Sequence, residues 1–255
     1  MTNETATINA GSYSRINIFE TCPYRAKLAY IDKIKETERP PLPAGQEYPN
    51  DRGSRVHDFA ENYVRGTKGH GTLIPELKNF EEHINILKAL YPTGRVLMED
   101  MWLFNNAWEP LSPYIERWSK EIWVRIMLDV CVFSPDGKTA IVIDYKTGKR
   151  YGNEVKHAEQ TQLYALAVLL RFPEVEYIIT ELWYTDQDEM ATMRFTRKQG
   201  MRYLKNWNNK MIKMTTAVEF PVKANMYTCN YCPFKTGLIG KKGPEGTGHC
   251  NKNPI

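Results

Sequence analysis

The stretch Thr139-Ala-Ile-Val-Ile-Asp-Tyr-Lys146 decides the fold of this chain. Its apolar run from Ala140 to Ile143 predicts a β-strand covered on both faces. Asp144 and Lys146 end that run. The two-residue period of a strand sends both of their side chains out of one face and Tyr145 out of the other. A carboxylate and an ammonium so placed suit phosphodiester chemistry: the acid holds a hard divalent cation, and the lysine positions or deprotonates a water. From these residues alone, a surface ion pair at a strand end reads equally well.

The sequence before this strand sharpens the reading. Ser134-Pro135-Asp136-Gly137 is a turn signal, and Lys120–Phe133 reads as the preceding strand, with Asp129 a single acid inside Ile126-Met-Leu-Asp-Val130. If Asp136-Gly137 is a two-residue type I′ turn, opposed residue numbers sum to 273, as Asp129 and Asp144 do. Opposed Cβ atoms lie about 4.5–5.5 Å apart. Two carboxylates that close repel unless they share a proton or a cation. A bulge at the turn breaks this register.

Farther out, the periods alternate between helix and strand. A helical segment begins near Ser14 and carries Ile16, Phe19, Tyr24, Leu28 and Tyr30, interrupted at Cys22-Pro23; residues 38–51, rich in proline, read as a linker. Helices are predicted over Gly53–Arg65, Leu77–Leu90 (ending before Pro92), Val155–Leu170 and Arg197–Met214. Strands are predicted over Arg95–Asn105, Glu176–Thr185 and Met190–Thr196. That order gives an α/β class, with a central sheet and helices around it.

Several polar residues lie on these elements. Gln160 and Tyr164 share a helix face at i,i+4, within reach of the lysine or a phosphate, and also read as a plain polar edge. His57, with Glu61 one turn on, can join carboxylates around Mg²⁺ or Mn²⁺, or serve as a structural histidine. Lys149, Arg150 and Lys156 collect after the strand as candidate phosphate contacts, against a reading as solvated charge. Trp102, Trp108, Trp118 and Trp123 are candidates for base stacking, although core positions are expected for most.

Composition bounds the partners. Over 255 residues, 42% are hydrophobic and 25% charged, with a formal net charge of +4. That composition supports a buried core, and the mild basicity permits a polyanion without requiring one. The polar start MTNETATINAGS lacks a signal-peptide layout, and no apolar run approaches a membrane span. A cytoplasmic location is therefore expected, bacterial or, for a viral protein, in the host. Five cysteines there read as thiols or ligands rather than disulfides. Cys131, two residues from Asp129, reads as a core residue.

Taken together, Gly53-Ser-Arg-Val-His57, Asp129, Asp144-Tyr-Lys-Thr-Gly148 and Gln160-Thr-Gln-Leu-Tyr164 resemble, in content and order, the RecB-like branch of the PD-(D/E)xK nuclease superfamily. The resemblance covers about residues 14–255 and implies a restriction-endonuclease-like core, a central mixed sheet flanked by helices. It implies His57, Asp129, Asp144 and the Tyr145 carbonyl as ligands of Mg²⁺ or Mn²⁺, with Glu61 the candidate third acid. Lys146 would be the catalytic lysine, with Gln160 and Tyr164 supporting the site. Cys22, Cys229, Cys232 and Cys250 resemble the cysteines that bind a [4Fe–4S] cluster in AddB-type and CRISPR-adaptation nucleases. This chain departs from them in the seventeen residues between Cys232 and Cys250, and His249 keeps a Zn²⁺ site open.

These likenesses imply one nuclease domain over 1–255, with a core of about 53–215. The cysteines would clasp its helical segment 14–37 to its C-terminal segment 221–255. The expected activity is exonucleolytic or single-strand processing of DNA, at single strands or duplex ends, in repair, recombination or replication with a helicase, recombinase or replication partner. A site-selective endonuclease and a non-catalytic, metal-stapled DNA-binding factor are the alternatives.

Overall fold

A computed structural model describes residues 7–148, 150–241 and 243–251. The chain divides into two units: Gly45–Trp207, and Met1–Ala44 together with Asn208–Ile255.

The first of these units holds a five-stranded sheet in the order β1 (Val96–Phe104), β2 (Val124–Phe133), β3 (Thr139–Lys146), β4 (Tyr177–Tyr184), β5 (Glu189–Thr196). The β3–β4 pair is parallel and the others antiparallel, so the sheet is mixed. Parallel neighbours need a crossover, and helix α5 (Glu154–Arg171) supplies it. The amphipathic helix α3 (Pro49–Arg65) turns Val56, Ala60, Tyr63 and Val64 inward, onto Ile84 and Leu87 of α4 (Glu81–Leu90). Val130, Val132, Ile143 and Tyr145 complete this core from one sheet face. On the other face Asp144 and Lys146 meet α5.

The β2–β3 register is the expected one: Val130↔Ile143 and Phe133↔Ala140 both sum to 273. The turn that sets it is different. Gly137 N donates to Ser134 O at 3.0 Å, and Ser134 N to Thr139 O at 2.9 Å. Only Gly137 (φ 72°) is left-handed there, whereas type I′ needs positive φ at both central residues. Pro135 excludes Asp136 from that role by occupying the first central position of a wider loop. The loop adds one residue on each side, so the sum survives.

Other boundaries moved for local reasons. Helix α3 starts at Pro49, four residues before Gly53, because proline is suited to a first helical turn. A 3₁₀ turn, Tyr91–Thr93, carries α4 past the expected stop at Pro92, and Pro75–Phe80 is also 3₁₀. The predicted helix at 197–214 is two: α6 (Arg197–Met201), opened by a Thr196/Gln199 capping box, and α7 (Tyr203–Thr215).

In the other unit, α1 (Tyr13–Thr21) and α2 (Pro23–Tyr30) break at Cys22, whose extended φ of −156° precedes the proline. Tyr24 N donates to Pro221 O, Lys210 pairs with Glu20 at 2.8 Å, and Phe19 meets Phe220 edge-on. These contacts bring the chain's first helices to its cysteine-bearing segment, where α8 (Met226–Asn230) is capped by Asn225. No helix among the described residues is long and apolar enough to cross a membrane.

Candidate metal centre

The β2–β3 ladder ends at Val130↔Ile143, one step short of Asp129 and Asp144. Beyond that point the side chains take over the bonding. Tyr145 N donates to Asp129 Oδ2 at 2.9 Å, in place of a ladder bond. His57 Nε2, from α3, lies 3.0 Å from Tyr145 O. Its Nδ1 lies 3.3 Å from Asp129 Oδ2 and 3.6 Å from Glu99 Oε1. His57, Glu99 and Asp129 each offer a ligand atom within 4.8 Å of the others.

Beside this trio, Lys146 Nζ lies 2.5 Å from Asp144 Oδ2 and donates to Gln160 Oε1 at 2.8 Å. Gln160 Nε2 donates to Tyr164 OH at 2.5 Å and reaches Asp144 Oδ1 at 3.4 Å. Tyr164 OH lies 3.4 Å from the same oxygen. Residues four apart on α5 thus grip one carboxylate from above.

The electrostatics favour a cation. Burial lowers the tendency of His57 to protonate, but hydrogen bonds to Asp129 and Glu99 outweigh it and raise its pKa to about 10. Burial pushes the Asp144 carboxyl up, Lys146 opposes this, and Asp129 adds to the rise. Burial holds Tyr164 well above the usual phenol range, so it remains a donor. Three carboxylates with one imidazole form a hard oxygen-and-nitrogen donor set that fits a divalent cation, with the Lys146 ammonium beside it.

Glu99 takes the place expected for Glu61. Glu61 instead accepts from Arg65 one turn along α3, at 2.8 Å, and is not part of the trio. Glu99 falls opposite Asp129, since flanking β1–β2 pairs sum to 228, and its φ is +46°. A left-handed glutamate inside a strand is strained backbone, a condition that persists where its surroundings enforce it. The nineteen residues joining β1 to β2 hid this register from sequence arithmetic. The only signal was an acid pair, Glu99-Asp100, in an apolar strand.

The strand end is buttressed on all sides. The Tyr145 ring packs edge-on against Trp183, which stacks on Phe80 at 4.9 Å. Asp186 Oδ2 accepts from Gly148 N at 2.8 Å, and Arg52 grips the same carboxylate at 2.6 and 2.8 Å. Gly148 has φ +104°, and a Cβ on Gly53 would come within 3.3 Å of Thr147 Oγ1. Gly53 therefore serves the close approach of α3 to the loop after β3, and Gly148 serves the left-handed backbone of that loop. Of the basic residues, Lys149 lies outside the described residues. Arg150 pairs with Glu189 at 2.6 Å, and Lys156 is exposed. Trp102 and Trp108 are buried, whereas Trp118 is 88% exposed.

In the other unit, Cys22, Cys229, Cys232 and Cys250 line one narrow cavity of about 20 Å³. The seventeen-residue interval folds back on itself through a Leu238↔Glu245 bridge, and Cys250 N donates to Phe234 O at 2.7 Å. That closure returns Cys250 to the Cys229-x-x-Cys232 turn. Among the described residues no three of these sulfurs gather within 4.8 Å. Burial raises the Cys232 thiol pKa. Cys131 is buried and apart from the four, as a core residue.

A search of curated proteins returned no match. Among solved structures, one titled "Crystal structure of SSO0001" aligns over 88% of this chain and 82% of its own, at 15% identity and a TM-score of 0.36. The family model described as the PD-(D/E)XK nuclease superfamily matches residues 10–236. With that match spanning most of its length, the chain belongs to the PD-(D/E)XK nuclease superfamily.

Proposed function

We propose that this chain is a metal-dependent deoxyribonuclease that trims DNA from ends or unpaired strands, in repair, recombination or replication. A cytoplasmic setting beside a helicase or recombinase belongs to the same reading. The observation that carries it is the convergence of His57, Glu99 and Asp129, with the Asp144–Lys146 pair beside them at one strand end. His57, Glu99, Asp129 and Asp144 would hold Mg²⁺ or Mn²⁺, with the Tyr145 carbonyl also facing His57. When bound, the cation supplies Lewis acidity and offsets charge developing on the phosphate.

The chain's own groups do the rest. Lys146, held between Asp144 and Gln160, orients the attacking water by donating from its ammonium. Gln160 and Tyr164 keep Asp144 from turning away. His57 holds the β3 peptide by its Tyr145 carbonyl while its other nitrogen faces the acids. Labelled linear and circular single strands, each with Mn²⁺, Mg²⁺ or chelator, test the proposal. Metal-dependent shortening of the linear strand alone is expected. Cutting of the circle moves the reading to an endonuclease, and no cutting of either sinks the nuclease reading.

The cysteine cavity is proposed to hold a [4Fe–4S] cluster. Tetrahedral zinc, with Zn–S near 2.3 Å, needs sulfurs about 3.8 Å apart. Among the described residues no three of these sulfurs lie within 4.8 Å of one another, so neither ligand set is preformed, and the four thiols around one cavity supply the four thiolates that a cluster takes. Purification without oxygen, followed by iron and sulfide analysis, decides: zinc alone, or no metal, rejects the cluster.

A further inference from the structure

Exposure along β2 is uneven. Odd-numbered residues of this strand leave one face. On that face Cys131 and Asp129 are buried, Met127 is 41% exposed, and Arg125 is half-buried. The covering therefore opens just beyond the candidate metal centre, at Met127, and closes again toward Arg125, whose partner Leu103 is buried. A strand rise of about 3.3 Å per residue puts Arg125 about 13 Å from Asp129.

The β1–β2 connection meets this face at its far end. After a turn at Asn105–Glu109, Leu111 N donates to Leu103 O at 2.8 Å, so the segment doubles back beside β1. Arg125 Nη2 then donates to Arg117 O at 2.8 Å, which fixes Trp118 next to the end of that face. Trp118 is 88% exposed and Tyr114 94%. The other tryptophans are buried or half-buried. Two large aromatic rings exposed on one short, anchored segment offer flat apolar surface of the kind on which unpaired bases stack. The connection holds three acids (Glu109, Glu116, Glu121) against two bases (Arg117, Lys120), so a strand held here is held by its bases rather than by charge on its backbone.

We propose that Trp118, with Tyr114, forms a base-stacking subsite for an unpaired DNA strand, which runs past the exposed Met127 of β2 to the metal centre. The inference deepens the nuclease reading and rests on it for the identity of the ligand. Stacking on an aromatic face tolerates any base but requires that the base be unpaired. The subsite therefore selects single strands over duplex without reading sequence.

The test is binding by the full chain in chelator, where no cleavage occurs. A labelled oligothymidylate is compared with the same strand annealed to its complement, and tryptophan emission is recorded. Trp118→Ala should weaken single-strand binding roughly 5- to 150-fold and leave duplex binding within about twofold. The loss should be the same at low and high salt, because no phosphate contact is removed. Trp118→Phe should keep the affinity while losing the emission quench that the wild type shows on binding. An equal loss on duplex, or unchanged single-strand affinity in Trp118→Ala, overturns the subsite. So does wild-type self-association that the variant abolishes, which would make the loop a protein contact. Because binding is read without metal, a chain that binds selectively yet never cuts defeats the nuclease reading and leaves the subsite standing.

Discussion

The strand-end centre and the cysteine cavity both gather residues distant in sequence, but they do so by different means. At the strand end the candidate ligand atoms of His57, Glu99 and Asp129 already lie within 4.8 Å of each other. They are held by two strand registers and by a helix whose other face fills the core. At the cysteine cavity the four side chains share a void of about 20 Å³, room for about one water, and their sulfurs do not close on one another. Their backbone is set by turns and isolated bridges. A site on a regular scaffold is preorganised before its ion arrives. A site on irregular segments gains its final geometry from the group it binds, as structural metal sites do.

The largest effect that tests this contrast is on hydrolysis. Lys146→Ala removes the ammonium from both Asp144 and Gln160. It should lower kcat at least about 100- to 1,000-fold, with near-native circular dichroism because the sheet core is untouched. Asp129→Asn should do the same and also weaken Mn²⁺ binding measured by calorimetry. Cleavage near the wild-type rate in either variant would remove the strand end from the chemistry.

That centre was largely legible in the sequence, and the reasons are physical. A two-residue period put Asp144 and Lys146 on one face, and a short loop made the Asp129 register countable even though the turn type differed. Glu99 was not legible, since its register passes through nineteen residues without regular pairing and its own backbone is left-handed. Glu61 stood one helical turn from His57, and periodicity on one helix says nothing of a carboxylate arriving from a strand. For the cysteines, Cys250 reads as a ligand although the seventeen residues before it depart from the family's pattern. The fold-back through Leu238↔Glu245 depends on turns that no periodic pattern announces.

A second, smaller effect separates the two glutamates. Glu99→Gln should weaken Mn²⁺ binding about 10- to 100-fold, whereas Glu61→Gln should leave it unchanged. The pH dependence has a defined sign. His57 is protonated up to about 10 in the metal-free centre, above its ordinary 6.5. The stability it lends that form is fully present below 6.5 and is lost as pH rises through about 10. A cation must displace that proton, so Mn²⁺ affinity should rise by up to about tenfold per pH unit between neutrality and pH 9. Calorimetry in buffers of different ionisation enthalpy should report about one proton released per ion at pH 8. Affinity that is flat with pH would show that His57 is not a ligand.

The smallest effect on catalysis is expected from the cysteines, and there the contrast is most exposed to failure. Each of the four belongs to the unit formed by the chain's two ends, whereas the strand end belongs to the other unit. Serine keeps the size of the side chain but is a poor ligand for a soft metal group. Cys22→Ser and Cys250→Ser should therefore each lose bound iron and lower the thermal midpoint by several degrees, because binding energy at a site that is not preformed is also folding energy. Mn²⁺ affinity at the strand end should stay within about twofold of wild type. If instead either serine variant weakens Mn²⁺ binding as strongly as Glu99→Gln does, the centre is not preorganised by its sheet. If neither variant changes the thermal midpoint, the cavity is a packing defect among four thiols rather than a site that folds around its ligand.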